Sequence, residues 1–552
     1  MSALAESRLR RFPPLEPARI LYEDGDVIAL DAPEGVPSQS ADPEHPDDLV
    51  HRLKRFLADR DGGEPYVGSH QRLDQDTSGV ILYALDRRAN KSLASQFEGR
   101  TVEKAYVAVV EGWRGGGKRL EHRLVRGKDG TTVVADRRDR RAKRAVTHVE
   151  VLERAGARAL LSLRIETGRT HQIRAQLAAA GAPVLGDRLY GGARASRLML
   201  HASRLSLSHP VTGAPLVVEA PTPPAFVRAL RGETSDAAPA ALERAKQRRW
   251  GLAHRDDVTA FRLLNEGGDG LPGLAVDVYD DWAVVHVYRD DAPLDALLEA
   301  LDFRGVYLKR RPKQANVIVD GRDDRFAPSA PVRGEPAPDP LVIREHGVPY
   351  AVRLGEGLST GIFLDQRDNR ARVRALAPGK RVLNLFSYTC PFSIAAAHAG
   401  ASATVSVDAS ARLLELGREG MRLAGCDGEQ HSFLQADCFE ALDGFAARGE
   451  TFDLICCDPP TYSRTRASRW TSGTDWIGLG AACLRVLAPG GHLIACSNDR
   501  RLSQNKLRRY MHEASRGAGV RVARMKDLPC PPDFPPPVGR PAHLKSLLLT
   551  VD

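Results

Sequence analysis

Hydrophobic and polar positions follow two different rhythms along this chain, and the change of rhythm divides it. From residue 17 to about 230 the apolar residues come in short runs rich in β-branched side chains: ARILYEDGDVIALD, VILYAL, KAYVAVVEG, HVEVLER and ALLSLRIETG. Such runs predict strands, and this many predict an α+β domain on one large sheet. RGETSDAAPAALERAKQRR follows, polar and alanine-rich, and reads as a linker with room for a short helix. In the next block LAVDVYDDWAVVHVY alternates apolar and polar residues around Asp280-Asp281, a hairpin pattern, and GEPAPDP at 334–340 marks the block's end. Beyond it RVLNLF, SIAAAHAG, ATVSVD, LLELGREGMRLAG, HSFLQAD, FDLICCDPP and GHLIACS alternate strand with helix. That order predicts a parallel sheet with helices on both faces. The expected boundaries are 1–235, a linker at 236–248, a small β-rich domain at 249–345 and an α/β domain at 346–552.

Composition narrows the class. The 552 residues suit about three domains, and 42% hydrophobic with 27% charged residues is ordinary for a globular protein. No apolar run approaches the ~20 residues of a membrane span, and the first twenty residues lack the apolar core of a signal peptide. Lys plus Arg exceeds Asp plus Glu by 79 to 70, giving net charge +9, which permits a polyanionic partner. All eight cysteines lie at or after Cys390 and none forms C-x-x-C, so neither a zinc site nor a disulfide framework is expected. Reduced thiols, a cytoplasmic location and no metal fit this usage.

Two polar clusters stand beside apolar strands in the first block. HQRLDQDTSG, residues 70–79, carries Arg72 and Asp74 just ahead of VILYAL; ETGRTHQIRAQL carries Arg169, His171 and Arg174 just after ALLSLRI. A site is expected where the two strands meet, with an arginine keeping Asp74 ionised, since an unpaired buried charge is costly. RRDRRAKR, residues 137–144, is the densest basic run, either a solvated loop or a contact for phosphates.

RLDQDTSGVILYAL, EKAYVAVVEG, ETGRTHQIRAQLAAAGAPVLGDRLYGG and RLMLHASRLSLSHPVTG, in this order over residues 17–222, resemble the ribosomal large-subunit type of pseudouridine synthase. The resemblance implies a mixed-sheet domain in which Asp74 is the catalytic aspartate, attacking ribose C1′ or otherwise assisting glycosidic cleavage. It implies that Tyr106 stacks on the target uracil and takes the C5 proton, that Arg174 pairs with Asp74, and that Arg72 fills the space of the flipped nucleotide. Arg169 and His171 are expected to touch the RNA. A carboxylate beside C1′ suits the oxocarbenium-like state of that cleavage, and a flipped base needs an aromatic platform. The chain departs from relatives at Gln71, inserted between His70 and Arg72, and at Ala32-Pro33. It is expected to lack the small N-terminal RNA-binding domain of some relatives.

In the last block, Asp408 follows the loop at Ser387 by about twenty residues, the place of an acid on ribose hydroxyls. The loop has no G-x-G-x-x-G, the pattern that admits a pyrophosphate. A cofactor with ribose and adenine but no phosphate fits, so S-adenosylmethionine is preferred to a nicotinamide. Asp437 at the next strand end suits the adenine amine, and Asp458 in Asp458-Pro459-Pro460 stands at the fourth, with Tyr462 near to hold a planar base. Residues 350–552 resemble a class I, Rossmann-like S-adenosylmethionine-dependent methyltransferase of the 23S ribosomal RNA type, and TAFRLLNEGGDGLPGLAVDVY and GIFLDQRDNR extend the likeness back to about 258. This resemblance implies that the middle domain faces RNA and that Asp365, Gln366 and Arg367 lie by cofactor or substrate, with Tyr388 in the cofactor loop. Relatives read Y-T-G where this chain has Tyr388-Thr389-Cys390, a cysteine expected either to weaken cofactor binding or to be harmless.

DPPTYS resembles the guanine-N7 branch. The runner-up is cytosine C5, which needs a thiolate; Cys496 is its candidate, although cysteine-using relatives place that residue where this chain has Asn498. Cys456 and Cys457 read as core. The reading is a bifunctional enzyme on 23S ribosomal RNA or a pre-ribosomal particle. The other classes are an assembly factor with a silent methyltransferase domain and a small-molecule methyltransferase.

Overall fold

A computed structural model describes residues 3–39, 47–127, 131–136, 139–233, 237–311, 323–464, 469–471, 475–537 and 539–552. The chain divides into two compact units: Met1–His254 with Asp269–Leu271 and Asp295–Ala300, and Arg255–Gly268 with Pro272–Leu294 and Leu301–Asp552.

The first unit is built on an eleven-stranded mixed sheet. Strand Ser78–Ala84, buried along its whole length, lies parallel to Leu200–Ser208 through the pairs His201–Ser78 and Ala202–Gly79. That close crossing explains the TSG of the first motif. A Cβ on Gly79, whose φ is +111°, would stand 2.2 Å from the Ala202 carbonyl oxygen, so only glycine fits. Ser78 Oγ joins His201 Nδ1 at 2.8 Å and accepts from Arg197 Nη2 at 2.6 Å. Glu103–Glu111 pairs next, and then Arg158–Ile165. The strands of the two polar clusters are therefore not neighbours, contrary to the expectation that they meet. Two strands intervene, and one of them carries Tyr106.

The stretch expected as a linker forms helix Ala238–Arg248, with Ala241, Leu242 and Ala245 buried. The buried Arg52 donates to Gln247 Oε1 at 2.9 Å and to the Gln247 carbonyl at 2.7 Å. Its alanine content serves close packing rather than flexibility.

In the second unit the Asp280-Asp281 hairpin joins Leu274–Tyr279 to Trp282–Val287 in a five-stranded sheet. This sheet packs on the remainder of the unit, where the Tyr279 and Thr360 hydroxyls meet at 2.8 Å, and Arg370 clamps the buried Glu345 of the separate two-stranded sheet at 2.7 and 2.6 Å. The larger sheet has seven strands in the order 3-2-1-4-5-7-6. The first five are parallel, and Lys545–Val551 runs antiparallel between the fifth and sixth. Strand order reverses between Arg381–Leu385 and Phe452–Cys457, which opens a crevice at their carboxyl ends. Among the described residues no helix is long and apolar enough to cross a membrane.

Candidate functional site

In the first unit the loops converge although the strands do not touch. Asp74 lies in the loop before Ser78, closed by a turn from Thr77 N–H to the Asp74 carbonyl at 2.8 Å. Ser38 exchanges two hydrogen bonds with Leu73, and Gly35 N–H donates to the Gln75 carbonyl. Helix Gln172–Ala179 brings Arg174 to the carboxylate. Its inner face is polar but satisfied: Gln172 and Gln176 both bond Thr147, and Gln172 accepts from Thr167 at 2.7 Å.

Arg174 Nη1 donates to Asp74 Oδ2 at 3.2 Å. Its Nε and Nη2 close on the fully buried Asp187 at 2.7 and 2.9 Å. Asp187 also accepts from the backbone N–H of Leu189 and Tyr190. His171 Nε2 stands 4.0 Å from Asp74 Oδ1. Burial raises the Tyr106 phenol, and the nearby charge of Asp74 adds to the rise. Asp74, Tyr106, His171 and Arg174 are thus brought together. Arg72 is exposed on the same loop. Arg169 turns aside and donates to the Arg144 carbonyl at 3.3 Å. In the basic run, Arg137 and Arg138 lie outside the described residues. Asp187 lies within the motif ETGRTHQIRAQLAAAGAPVLGDRLYGG, but its contact with Arg174 is made across a loop and leaves no periodic signal.

In the second unit a cavity of about 360 Å³ fills the crevice, lined among others by Tyr388, Asp408, Asp437, Phe439, Asp458 and Asn498. Its size suits a small-molecule site. Asp408 ends its strand and accepts from Tyr388 N–H and Ser410 N–H, both at 2.9 Å; burial still raises its pKa. Asp437 caps helix Cys438–Ala447 through Phe439 N–H at 2.9 Å. Trp470 Nε1 donates to the Pro460 carbonyl at 2.7 Å and fixes the turn after Asp458. Two acids at neighbouring strand ends with aromatic walls fit a nucleoside cofactor.

Burial, then the neighbouring charge of Asp365, pushes Asp458 up to about 7. Gln366 donates to Asp458 Oδ2 at 2.7 Å, and its own oxygen accepts from Asn369 at 2.6 Å. Gln366 therefore lines the cavity chiefly as a holder of Asp458. Asp365 accepts from His543 at 2.8 Å. Arg367, expected at the substrate, is buried and holds Asp533 with two bonds of 2.9 and 2.6 Å, so its guanidinium is committed within the protein. The Tyr462 side chain lies outside the described residues.

Cys390 has φ +62°, the region that favours the glycine of its relatives. Its buried side chain packs against Gly417 of helix Ala411–Leu423, and Cys390 is not among the residues that line the cavity. Cys496 is buried, receives the Asn369 amide at 3.5 Å, and has its thiol raised far by burial. Asn498 is exposed to the cavity, and the Thr461 hydroxyl donates to its Oδ1 at 2.8 Å. Among the described residues Asp24, Asp26 and His209 cluster closely enough for a cation. There, however, His209 Nδ1 accepts from Val211 and Thr212 N–H, which leaves the proton on Nε2, facing Asp24 at 2.9 Å.

Residues 26–179 match the RNA pseudouridylate synthase family, and 310–550 match the S-adenosylmethionine-dependent methyltransferase family. Bacillus subtilis YwbD, provisionally named a ribosomal RNA large subunit methyltransferase, is 36% identical over 301 residues, 53% of this chain and 74% of that protein. Ribosomal RNA large subunit methyltransferase I of Aeromonas salmonicida is 33% identical over 279 residues, 50% of this chain and 70% of its own. The crystal structure of SMU.776, provisionally named a methyltransferase and complexed with SAH, has TM-score 0.52 at 27% identity, covering 63% of this chain and 87% of that one. The chain belongs to the ribosomal RNA large subunit methyltransferase family, and it carries an RNA pseudouridylate synthase domain ahead of its S-adenosylmethionine-dependent methyltransferase domain.

Proposed function

We propose that this chain is a bifunctional enzyme of the cytoplasm that isomerises a uridine and methylates guanine N7 in 23S ribosomal RNA. The first activity rests on the commitment of one Asp74 oxygen. Arg174 holds Oδ2, which gives the carboxylate a positive partner and leaves Oδ1 to meet C1′ as the bond to N1 breaks. Tyr106, close enough to feel the charge of Asp74, carries the freed uracil while it turns to present C5.

The second activity rests on Asn498. A C5 methylation requires a thiolate to attack C6, and the crevice presents an amide where a nucleophile would stand. Cys496 lies behind it, with a thiol that burial keeps neutral. Bound S-adenosylmethionine supplies an electrophilic methyl group on a sulfonium. Guanine N7 has a lone pair in the ring plane and loses no proton on methylation, so no base is required. Thr461 occupies Asn498 Oδ1, which leaves the amide hydrogens as donors. A donor beside the methylated nitrogen suits the O6 that adjoins N7 on guanine and opposes the amine of adenine. Asp408 and Asp437 are the groups that would hold ribose and adenine. The names of the relatives support ribosomal RNA as substrate.

Nucleoside mass spectrometry of unmodified 23S transcript, incubated with and without S-adenosylmethionine, tests both halves. Pseudouridine in both samples and 7-methylguanosine only with cofactor is the expected result. 5-Methylcytidine would overturn the Asn498 reading, and absence of pseudouridine would overturn that of Asp74.

A further inference from the structure

Three groups meet one phenol beside Asp74. The backbone N–H of Thr132 donates to the Tyr190 hydroxyl oxygen at 2.9 Å. The phenol hydrogen still needs an acceptor, and His171 Nδ1 lies 3.1 Å away. The imidazole stands edge-on to the Tyr190 ring, centroids 5.8 Å apart, and the Arg174 guanidinium lies over that ring at 5.2 Å. Tyr190 thus touches both residues that flank the Asp74 carboxylate.

We infer that Tyr190 is a positioning residue for pseudouridine formation, fixing the His171 tautomer so that Nε2–H faces the reacting oxygen of Asp74. The inference rests on Asp74 as the catalytic group. A hydrogen bond donated to Nδ1 requires a lone pair there, which puts the imidazole proton on Nε2. Nε2 faces Asp74 Oδ1 across 4.0 Å, while Arg174 holds Oδ2. The opposite tautomer would turn a lone pair toward the carboxylate and repel it. His171 is held in this pose at φ +52°, a left-handed conformation that costs a side chain on the order of 1 kcal/mol. Asp187 accepts from both Arg174 and Tyr190 N–H, so one buried carboxylate sets the cation and the tyrosine together.

His171 must also stay neutral, because an imidazolium would tie up Oδ1. Burial disfavours the charge. Arg174 and Arg126 oppose it, while Asp74 and Asp187 favour it, and the balance lowers the pKa. The Tyr190 bond acts in the same direction, since it stabilises only the unprotonated Nδ1. Removing it therefore makes His171 easier to protonate.

Tyr190→Phe keeps the ring under Arg174 and removes the proton donor to His171 together with the acceptor of Thr132 N–H. The reaction replaces the C5 hydrogen of uracil, so tritium release from 23S transcript labelled at uridine C5 reports it. The full chain, Asp74→Asn, Tyr190→Phe, His171→Gln and the Tyr190→Phe/His171→Gln double variant are compared from pH 5.5 to 8.5. Tyr190→Phe is expected to lower kcat about 10-fold at pH 7 with KM for RNA unchanged, and to move the acid limb up by about one pH unit. The glutamine amide keeps a donor but cannot titrate, so His171→Gln lacks that limb, and adding Tyr190→Phe to it has little further effect. An unshifted acid limb in Tyr190→Phe, or a full additive loss in the double variant, would reduce Tyr190 to packing and overturn the inference. Absence of release from the unaltered chain, or release by Asp74→Asn, would instead remove the reading on which it rests, and the inference with it.

Discussion

Arg174 reaches Asp74 with one nitrogen, at 3.2 Å, and closes on Asp187 with the other two, so the whole guanidinium fork is committed. A lysine cannot make three such bonds. Arg174→Lys is expected to lower pseudouridine formation by at least about 100-fold. Asp187→Asn keeps the shape but removes the charge that holds Arg174, and should cost about 3–5 kcal/mol of stability, the usual penalty for breaking a buried pair. Urea unfolding and tritium release measure the two effects. Equal activity of the lysine variant would show that Asp74 needs only a nearby positive charge.

Asp74→Asn should abolish pseudouridine formation and leave methylation at its original rate. An amide cannot trap or neutralise the cationic character that develops at C1′. The methyltransferase cavity lies wholly within the second unit and uses other acids. Mass spectrometry of one RNA sample reads both modifications. Surviving pseudouridine would show that the aspartate is not the catalytic group.

What was legible in the sequence was local. The strand–helix alternation after 350 corresponds to the seven-stranded sheet, and the acids expected at strand ends, Asp408, Asp437 and Asp458, line one cavity. The two-residue turn Asp280-Asp281 is where the alternation changed. What escaped was set by tertiary packing. An alanine-rich polar stretch has the same composition as a spacer or as a helix that fits closely, and only Arg52 on Gln247 decides between them. Arg367 carries the charge of a substrate contact, but its partner Asp533 is 166 residues away. The order of strands between Asp74 and Arg174 depends on a crossover that no period in the sequence records.

Asp458 should make the stability of the second unit fall as pH rises. Its folded pKa, about 7, lies above that of an unfolded aspartate. Between those values the unfolded chain releases a proton that the folded chain keeps, so the unfolded state gains. Asp458→Asn removes this penalty. Relative to the unaltered chain it should be more stable at pH 8 than at pH 5 by roughly 1–3 kcal/mol, allowing for partial exposure, while methylation is lost. Urea titrations at the two pH values check it. The same difference at both would mean that Asp458 is already ionised in the fold.

Cys390 and Gly417 form a matched pair, and this accounts for a cysteine where relatives have glycine. A Cβ on Gly417 would lie 2.5 Å from Cys390 Sγ, closer than the atoms can approach. A glycine inside a helix costs about 1 kcal/mol relative to alanine, so its presence here has a packing reason. Gly417→Ala should destabilise the unit by about 1–3 kcal/mol through overpacking. Cys390→Gly removes the clashing sulfur and relieves the left-handed φ at 390. The double variant should therefore recover most of the stability lost by Gly417→Ala alone, with a clear coupling energy in the double-mutant cycle. Cys390 is not among the residues that line the cavity. Cys390→Gly alone should accordingly leave KM for S-adenosylmethionine unchanged. A marked fall in KM would mean that the cysteine reaches the cofactor after all, and that its effect on binding is direct.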